Sequence, residues 1–195
     1  MAAAAAAAAA ATAACAAVAQ PLPDRVAQRL PACAACHGAD GHAPLAGVPS
    51  LAGQPRLFIE NRLVMIREGL SDIPQMKGQL DGLSDPELIA LSRYWAAMPM
   101  TRERPPRDAA RAVRGAAVSQ RALCGTCHLP DYAGRDQVPR LAGQREDYLL
   151  QSLRDFAAGR TAGRDTLMTN ALLGLTDADL QDLAHHLATH PRAAP

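Results

Sequence analysis

The sequence is poor in aromatic residues: its 195 positions hold two phenylalanines, one tryptophan and three tyrosines. A chain of this length forms one domain or two small ones. Aromatic side chains usually supply a large share of the apolar area that a small domain buries. Either arrangement is therefore short of the bulky side chains that fill a core, and a bound apolar group would supply the missing volume.

The charge is nearly balanced, and long apolar runs are missing. Twenty basic and nineteen acidic residues give a formal net charge of +1. Proteins that bind nucleic acid usually carry a strong basic excess, so this balance argues against nucleic acid as a partner. After residue 20 no apolar segment is long enough to cross a bilayer, which predicts a mature chain with no transmembrane helix.

Four of the five cysteines belong to two copies of the pattern Cys-x-x-Cys-His, at residues 33–37 and 124–128. The pattern is typical of covalent haem attachment: two thiols on one helical turn bond the porphyrin, and the histidine binds the iron. The alternatives are a redox-active Cys-x-x-Cys, which needs a βαβ context that we do not find, and a zinc site made of both pairs. Neither explains a histidine after each pair, so we predict two covalently attached haem c groups. The predicted attachment and iron-binding residues are Cys33, Cys36 and His37, and Cys124, Cys127 and His128.

A second motif is also duplicated. Pro-Ser-Leu-Ala-Gly-Gln at 49–54 returns as Pro-Arg-Leu-Ala-Gly-Gln at 139–144, at nearly the same distance from the preceding histidine. This is the strongest internal sign of duplication. A proline carbonyl at that point can accept a hydrogen bond from the second ring nitrogen of the ligand histidine and hold its orientation. We expect Pro49 and Pro139 to act in this way.

Each half then continues with two helical segments. Apolar residues recur at helical spacing up to Gly69 in the first half and up to Gly159 in the second. The last helix of each half opens with a capping signal, at residues 84–87 and 176–179.

Two methionines, Met76 and Met168, occupy matching positions in the loop before the last helix of each half. An iron held by histidine on one side needs its sixth position assigned, because an open position binds small molecules and a filled one mainly passes electrons. Since both copies place the methionine alike, we predict that Met76 and Met168 are the sixth ligands. The alternative is that each methionine only covers a haem edge.

The N-terminus predicts an exported protein. Residues 1–19 are almost all alanine and end in Ala17-Val18-Ala19, a small-x-small pattern typical of a signal-peptide cleavage site. The segment has no basic residue after Met1, and the alternative is a low-complexity tail without a role. Cys15 suggests a lipoprotein site, but Thr12 stands where that site expects a large aliphatic residue. We predict a signal peptide at 1–19 and a periplasmic location, because c-type haem is attached outside the bacterial cytoplasm.

Together these motifs resemble two class I cytochrome c domains in tandem, most similar to the dihaem cytochrome c4 group. The resemblance covers about residues 21–190 and rests on the duplicated haem, proline and methionine motifs and the duplicated helix openings. It implies an all-α fold in which each domain encloses one haem. The corresponding domains would be residues 21–98 and 115–190, joined by a proline- and arginine-containing linker at 99–114.

Two features depart from the family pattern, and both concern packing. The helical lead-in to the first haem motif is short, so the usual N-terminal helix of the first domain is expected to be abbreviated. In the second domain His185 and His186 stand where the first domain has Arg93 and Tyr94. The imidazole of His186 would then either loosen the packing or give the haem a pH-sensitive neighbour.

The resemblance implies a periplasmic electron carrier that is not itself an enzyme. Its expected redox partners are a quinol-oxidising complex, a terminal oxidase or a dehydrogenase, and peripheral association with a membrane is left open. The alternative is a dihaem cytochrome subunit of a dehydrogenase complex, such as a sulfide-oxidising flavocytochrome. A small dihaem redox enzyme is less favoured, because it predicts an open haem position and the two matched methionines argue against one.

Overall fold

The structure, a computed structural model, describes residues 21–101 and 105–191. The signal peptide predicted at 1–19 lies outside these residues. Within them the regular structure is helical, and the one β-type pairing is an isolated bridge between Arg135 and Val138. The predicted all-α class is confirmed. None of the helices in the described ranges is long and apolar enough to cross a membrane.

The two halves repeat one order of elements. The helices of the first half are α1 (Asp24–His37), α2 (Arg56–Arg67) and α3 (Asp85–Ala96), with a 3-10 turn at Pro74–Met76 between α2 and α3. The helices of the second half are α4 (Ala109–Arg121), α5 (Cys124–His128), α6 (Glu146–Ala157), α7 (Leu167–Ala171) and α8 (Asp177–Thr189).

Both last helices begin at the capping signals that the sequence predicts. The Glu87 carboxylate accepts hydrogen bonds from the backbone N–H and the hydroxyl of Ser84, both at 2.7 Å. In α8 the Asp179 carboxylate accepts from the N–H of Thr176 at 2.9 Å, and the Thr176 hydroxyl accepts from the N–H of Asp179 at 3.2 Å. These bonds satisfy N–H groups that the first turn of a helix leaves without partners.

The helix α4 begins within the segment predicted as linker. Asp108 is its N-cap, and the side chain accepts a hydrogen bond from the N–H of Arg111 at 3.0 Å. Residues 109–114 are consequently helical and belong to α4.

Each half buries an apolar cluster of its own. The buried members in the first half are Val26, Ile59, Leu63, Leu80, Leu83, Leu88, Leu91 and Trp95. Those in the second half are Val118, Tyr132, Ala142, Leu149, Leu153, Leu172, Leu180, Leu183, Ala184, Leu187 and Ala188. The sequence therefore folds around two cores, one for each copy of the repeat.

The Pro-x-Leu-Ala-Gly-Gln motif is fixed to both neighbouring parts of its own half. The N–H groups of Leu51 and Ala52 donate to the carbonyl of Gly41 at 2.8 and 3.1 Å, and that of Gly53 donates to Trp95 in α3 at 3.3 Å. The second copy repeats these bonds: Leu141 and Ala142 donate to Tyr132 at 2.9 and 3.2 Å, and Gly143 donates to Leu187 at 3.0 Å.

The halves differ where their first and last helices meet. In the second half α4 crosses α8 at Gly115, where an added Cβ would lie 2.1 Å from the carbonyl oxygen of Asp182. The residue at the same distance before the first-half histidine is Asp24, which is also the first residue of α1. Among the described residues the first half therefore has no helical turns before this position, and the predicted abbreviation of its N-terminal helix is confirmed.

Replacing Gly115 with alanine tests how close this crossing is. At a solvent-exposed helix position, glycine to alanine would raise the free energy of unfolding by up to about 1 kcal/mol, because alanine has the higher helix propensity. At Gly115 the methyl group would meet the backbone of Asp182, so we expect a loss of about 1–3 kcal/mol from overpacking. Denaturant unfolding of the haem-loaded protein, followed by circular dichroism, measures the difference.

The matched control is Val113→Ala on the same helix, at a side chain that is 67% exposed. We expect it to change the free energy of unfolding by less than about 0.5 kcal/mol. A Gly115→Ala variant as stable as the wild type would show that the two helices do not approach as closely as described.

Candidate functional site

The first candidate site lies at the C-terminal end of α1. Cys33, Cys36 and His37 occupy its last turns, so both thiols and the imidazole project from one short stretch of helix. Both thiols are free; that of Cys33 is half-buried and that of Cys36 is exposed. Burial raises the pKa of the Cys33 thiol above its ordinary value. A redox-active Cys-x-x-Cys would instead have a lowered thiol pKa, so this site is unlike one.

The second candidate site is carried by a separate short helix, α5, after a break at Ala122 and Leu123. Cys124 and Cys127 are again free thiols, and burial raises the pKa of Cys124. Among the described residues no three His, Cys, Asp or Glu side chains lie close enough together to hold a metal ion. The zinc alternative, which needs the two cysteine pairs in one place, is not supported.

The imidazoles of both motifs are held in the same way. The Nδ1–H of His37 donates to the carbonyl oxygen of Pro49 at 2.9 Å, and that of His128 donates to Pro139 at 2.9 Å. The prolines that the sequence analysis singled out as acceptors are confirmed as such. Since Nδ1 carries the proton, the lone pair of Nε2 points away from the proline and is free to bind a metal.

Both imidazoles are buried. His37 is 9% exposed and His128 is 4% exposed. Burial lowers the pKa of each below the ordinary value of histidine, and the hydrogen bond to the proline carbonyl offsets this in part. A neutral imidazole is the form that ligates iron, and burial favours that form.

These donors fit a covalently bound haem. Each site offers two free thiols for the porphyrin and one imidazole nitrogen for the iron. In the second half the hydroxyl of Thr169, next to Met168, is buried with no hydrogen-bond partner among the described residues. A buried hydroxyl of this kind can donate to an oxygen of a bound group, such as a haem propionate.

The backbone after each histidine takes a conformation that favours glycine. Gly38 follows His37 with φ 82° and ψ 145°. Leu129 follows His128 with φ 70° and ψ 157°, although leucine carries a side chain. Strain of this kind costs of order 1–3 kcal/mol and persists only where the surroundings impose it. The turn that carries the chain from the histidine to the proline is therefore kept in the second half even without glycine.

The two candidate methionines lie between the second and the last long helix of each half. Met76 ends the 3-10 turn, and Met168 is the second residue of α7. Both side chains are partly exposed. Neither belongs to the two apolar clusters of the described residues, whereas Met98 packs against the first cluster. The two methionines are therefore not ordinary core residues.

The segment that follows Met76 is hydrogen-bonded to the helix that carries the first histidine. The guanidinium of Arg29 in α1 donates to the carbonyl of Gln79 at 2.6 Å and to that of Asp81 at 3.2 Å. The N–H of Gln79 in turn donates to the carbonyl of Met76 at 3.1 Å. These bonds fix the methionine segment relative to α1.

The residues that join the two halves are not among those predicted from the sequence. The side chains of Gln54 and Gln144, the last residues of the duplicated motif, each bond to the backbone of the opposite half. Met100 fills the space between the motif glycines, since an added Cβ would lie 2.8 Å from its Cγ at Gly53 and 3.3 Å from its Cε at Gly143. The signal available in the sequence was the presence of the same glutamine in both copies.

Comparison with known proteins identifies relatives that span most of the chain. The cytochrome c family profile matches residues 112–191. Cytochrome c4 from Pseudomonas aeruginosa is 31% identical over 164 residues, which cover 80% of this chain and 82% of the relative. A thiosulfate dehydrogenase electron acceptor from Thiomonas intermedia is 31% identical over 170 residues, which cover 82% of this chain and 78% of the relative.

Solved structures with the same architecture include that of reduced recombinant cytochrome c4 from Pseudomonas stutzeri. It is 27% identical, with a TM-score of 0.77, and the match covers 86% of this chain and 98% of that one. Thiosulfate dehydrogenase from Marichromatium purpuratum is 31% identical with a TM-score of 0.70, and the match covers 83% of this chain but 37% of that one. The two-domain class I cytochrome architecture predicted from the sequence is confirmed.

Two histidines of α8 that depart from the first-half sequence are both packed. The Nε2 of His185 accepts from the N–H of Asp108 at 2.9 Å, and its Nδ1 lies 2.8 Å from the Glu146 carboxylate. The ring of His186 packs edge-on against Tyr132, with centroids 5.6 Å apart, and against His190 at 5.3 Å. His186 thus fills an aromatic packing position.

His186 should make the second half sensitive to acid. Burial lowers the pKa of His186, and the neighbouring His190, Arg107 and His185 lower it further, against a smaller opposing hydrogen bond to the backbone at Ala112. In the unfolded chain the imidazole titrates near its ordinary value of about 6.5. Between the two pKa values the unfolded state binds more protons, so stability falls as pH falls below about 6.5.

We therefore expect His186→Tyr to reduce the loss of stability on acidification. The reciprocal variant, Tyr94→His at the matching first-half position, should increase that loss. Urea unfolding of the haem-loaded protein above and below the ordinary histidine pKa measures both. An equal loss in the wild type and in His186→Tyr would contradict the assignment of the acid sensitivity to this residue.

Proposed function

The chain belongs to the cytochrome c4 family of dihaem electron-transfer cytochromes, and we propose that each of its two irons is held by one histidine and one methionine. The proposed ligand pairs are His37 with Met76 and His128 with Met168. The observation that carries this proposal is the duplicated hydrogen bond of 2.9 Å from each imidazole Nδ1–H to its proline carbonyl. That bond leaves Nε2 of each histidine as a metal ligand of fixed orientation.

The cofactors are covalently bound haem c groups, and we propose four thiols of this chain as their attachment points. The proposed residues are Cys33 and Cys36 in the first half and Cys124 and Cys127 in the second. Each pair lies on one helix, immediately before its histidine. Thioether bonds from the helix that also carries the histidine would hold the porphyrin next to the imidazole. Because the attachment is covalent, the haem would not dissociate when its iron changes oxidation state.

The proposed role of the two methionines is to keep the sixth coordination position closed. When bound, haem iron supplies the one-electron change between the ferric and ferrous states. A thioether ligand favours the ferrous state and excludes small molecules from the iron. An electron carrier needs both properties. We therefore propose a carrier without catalysis of its own.

The remaining assignments concern domains, location and partners. We propose that residues 21–98 and 115–190 form the two domains, which is supported by one apolar cluster in each half. We also propose export to the periplasm through residues 1–19, on the small-x-small pattern at Ala17-Val18-Ala19. The proposed partners are a quinol-oxidising complex as donor and a terminal oxidase as acceptor.

A second candidate donor is a dehydrogenase. Two relatives named thiosulfate dehydrogenase electron acceptor are 31% and 33% identical to this chain over 170 and 168 residues. The carrier would then take electrons from a separate catalytic protein. Copurification with a dehydrogenase subunit, together with rapid reduction by that subunit and its substrate, favours this candidate over a quinol-oxidising donor.

The ligand assignment is tested by Met76→Ala and Met168→Ala. The ferric form of a histidine- and methionine-ligated haem shows a weak far-red absorption band from methionine-to-iron charge transfer. We expect the wild type to show this band for two haems, and each variant to lose about half of it. Absorption spectra normalised to haem content measure the loss.

Met65→Leu and Met98→Leu are the matched controls, because these methionines lie in the same half as Met76 and have no counterpart at a matching position. Both should leave the band unchanged. The proposed ligands would be refuted by a wild-type band with the intensity expected for one haem, or by a Met76→Ala or Met168→Ala variant that keeps the full intensity. Either result would favour an open or differently ligated iron.

A further inference from the structure

Two glutamines join the halves by reciprocal pairs of hydrogen bonds. The Oε1 of Gln144 accepts from the N–H of Ser50 at 2.9 Å, and its Nε2 donates to the carbonyl of Ser50 at 2.9 Å. The Oε1 of Gln54 accepts from the N–H of Arg140 at 3.0 Å, and its Nε2 donates to the carbonyl of Arg140 at 3.0 Å. Ser50 and Arg140 are the second residues of the two motif copies, so each glutamine binds the same place in the opposite half.

These bonds involve the same peptide groups that accept hydrogen bonds from the candidate iron ligands. The N–H of Ser50 belongs to the same peptide group as the carbonyl of Pro49, which accepts from His37 at 2.9 Å. One peptide group therefore receives a hydrogen bond from the histidine of its own half and donates one to Gln144 of the other half. The peptide group between Pro139 and Arg140 has the same arrangement with His128 and Gln54.

The orientation of each glutamine is fixed by its partners. A backbone N–H lies against one side of the carboxamide and a backbone carbonyl against the other, so only one orientation satisfies both. Both glutamines are 5% exposed, which keeps water from competing for these bonds. The Oε1 of Gln144 also accepts from the N–H of Arg145 at 2.9 Å. The matching first-half residue is Pro55, which has no N–H to donate.

We infer that Gln54 and Gln144 are positioning residues that set the reduction potentials of the haems in a crossed manner. Gln144, in the second half, acts on the haem of His37, and Gln54, in the first half, acts on the haem of His128. This inference rests on the proposed histidine ligation. It makes the contact between the halves part of the electronic environment of each iron.

The direction of the effect follows from polarisation along the hydrogen-bonded chain. Donation from the N–H of Ser50 to Gln144 makes the carbonyl of Pro49 a stronger acceptor, because bonds in series strengthen one another in a low dielectric. A stronger acceptor pulls the Nδ1 proton and makes His37 a more electron-rich ligand. An electron-rich imidazole stabilises ferric iron, so Gln144 lowers the potential of the haem on His37.

The experiment uses the full haem-loaded chain and the variants Gln144→Leu and Gln54→Leu. Potentiometric titration, with each haem followed separately through its own NMR-resolved methyl signals, gives both potentials. We expect Gln144→Leu to raise the potential of the haem on His37 and to leave the other unchanged within error. Gln54→Leu should do the reverse.

The control is Asn61→Ala, which removes a different hydrogen bond between the halves, from the Asn61 carboxamide to Gln137 at 3.1 Å. This bond does not involve the proline peptide groups, so both potentials should stay at their wild-type values.

Should a leucine variant fail to load haem, Gln144→Glu and Gln54→Glu keep an oxygen that accepts the same backbone N–H. In these variants we expect the reduction potential of the haem in the opposite half to fall or to stay unchanged, and a rise would contradict the inference.

The crossed pattern decides the outcome. Potentials that stay at wild-type values in both leucine variants would overturn the inference, as would equal shifts at both haems or a shift confined to the variant's own half. The ferric-state NMR signals of the His37 and His128 rings separate this from the underlying proposal. If these rings are not bound to iron, the ligand proposal fails; if they are bound and the crossed shifts are absent, only the inference fails.

Discussion

The structure depends on one hydrogen bond in each half, from the imidazole Nδ1–H of the haem-motif histidine to a proline carbonyl 2.9 Å away. This bond fixes the tautomer and the ring orientation, and it leaves Nε2 for iron. The loop that carries each proline is itself bound to the last helix of its half through Gly53 or Gly143. The orientation of each imidazole and the packing of the last helix are therefore set by the same six-residue motif.

The two copies have diverged around this constraint. The second half has the complete crossing of its first and last helices at Gly115, whereas the first half begins α1 at Asp24. The second half also holds Leu129 in the backbone conformation that Gly38 adopts in the first. Helix packing and side-chain identity have changed, but the path from histidine to proline has not. This is expected if the geometry of the ligand is the property under the strictest physical requirement.

Much of this architecture could be predicted from the sequence because its signals are local or duplicated. The haem motifs are contiguous, the capping residues lie three positions apart, and the two candidate methionines occupy matching positions in the two halves. The contacts of Gln54 and Gln144 could not be predicted in this way, because the partners lie in the opposite half and no local rule links them. Met100 was also missed, since its role depends on the approach of Gly53 and Gly143 across the contact between halves.

The helical start at Ala109 shows the limit of composition as a guide. The prolines and arginines of residues 99–114 predict a linker. The structure shows that α4 begins within this range, after its N-cap Asp108. The packing of His186 shows the same limit, because its aromatic partner Tyr132 lies in a distant loop. In both cases tertiary contacts decide the structure of a segment whose composition is ambiguous.

We propose that both irons are closed by ligands from this chain, as a carrier requires. Addition of carbon monoxide to the fully reduced, haem-loaded protein tests this proposal, because carbon monoxide binds ferrous haem only where the sixth position is open or easily vacated. We expect carbon monoxide to leave the reduced spectrum unchanged at neutral pH. A carbon monoxide complex formed at one or both haems would contradict it and point to ligand binding or catalysis at that iron.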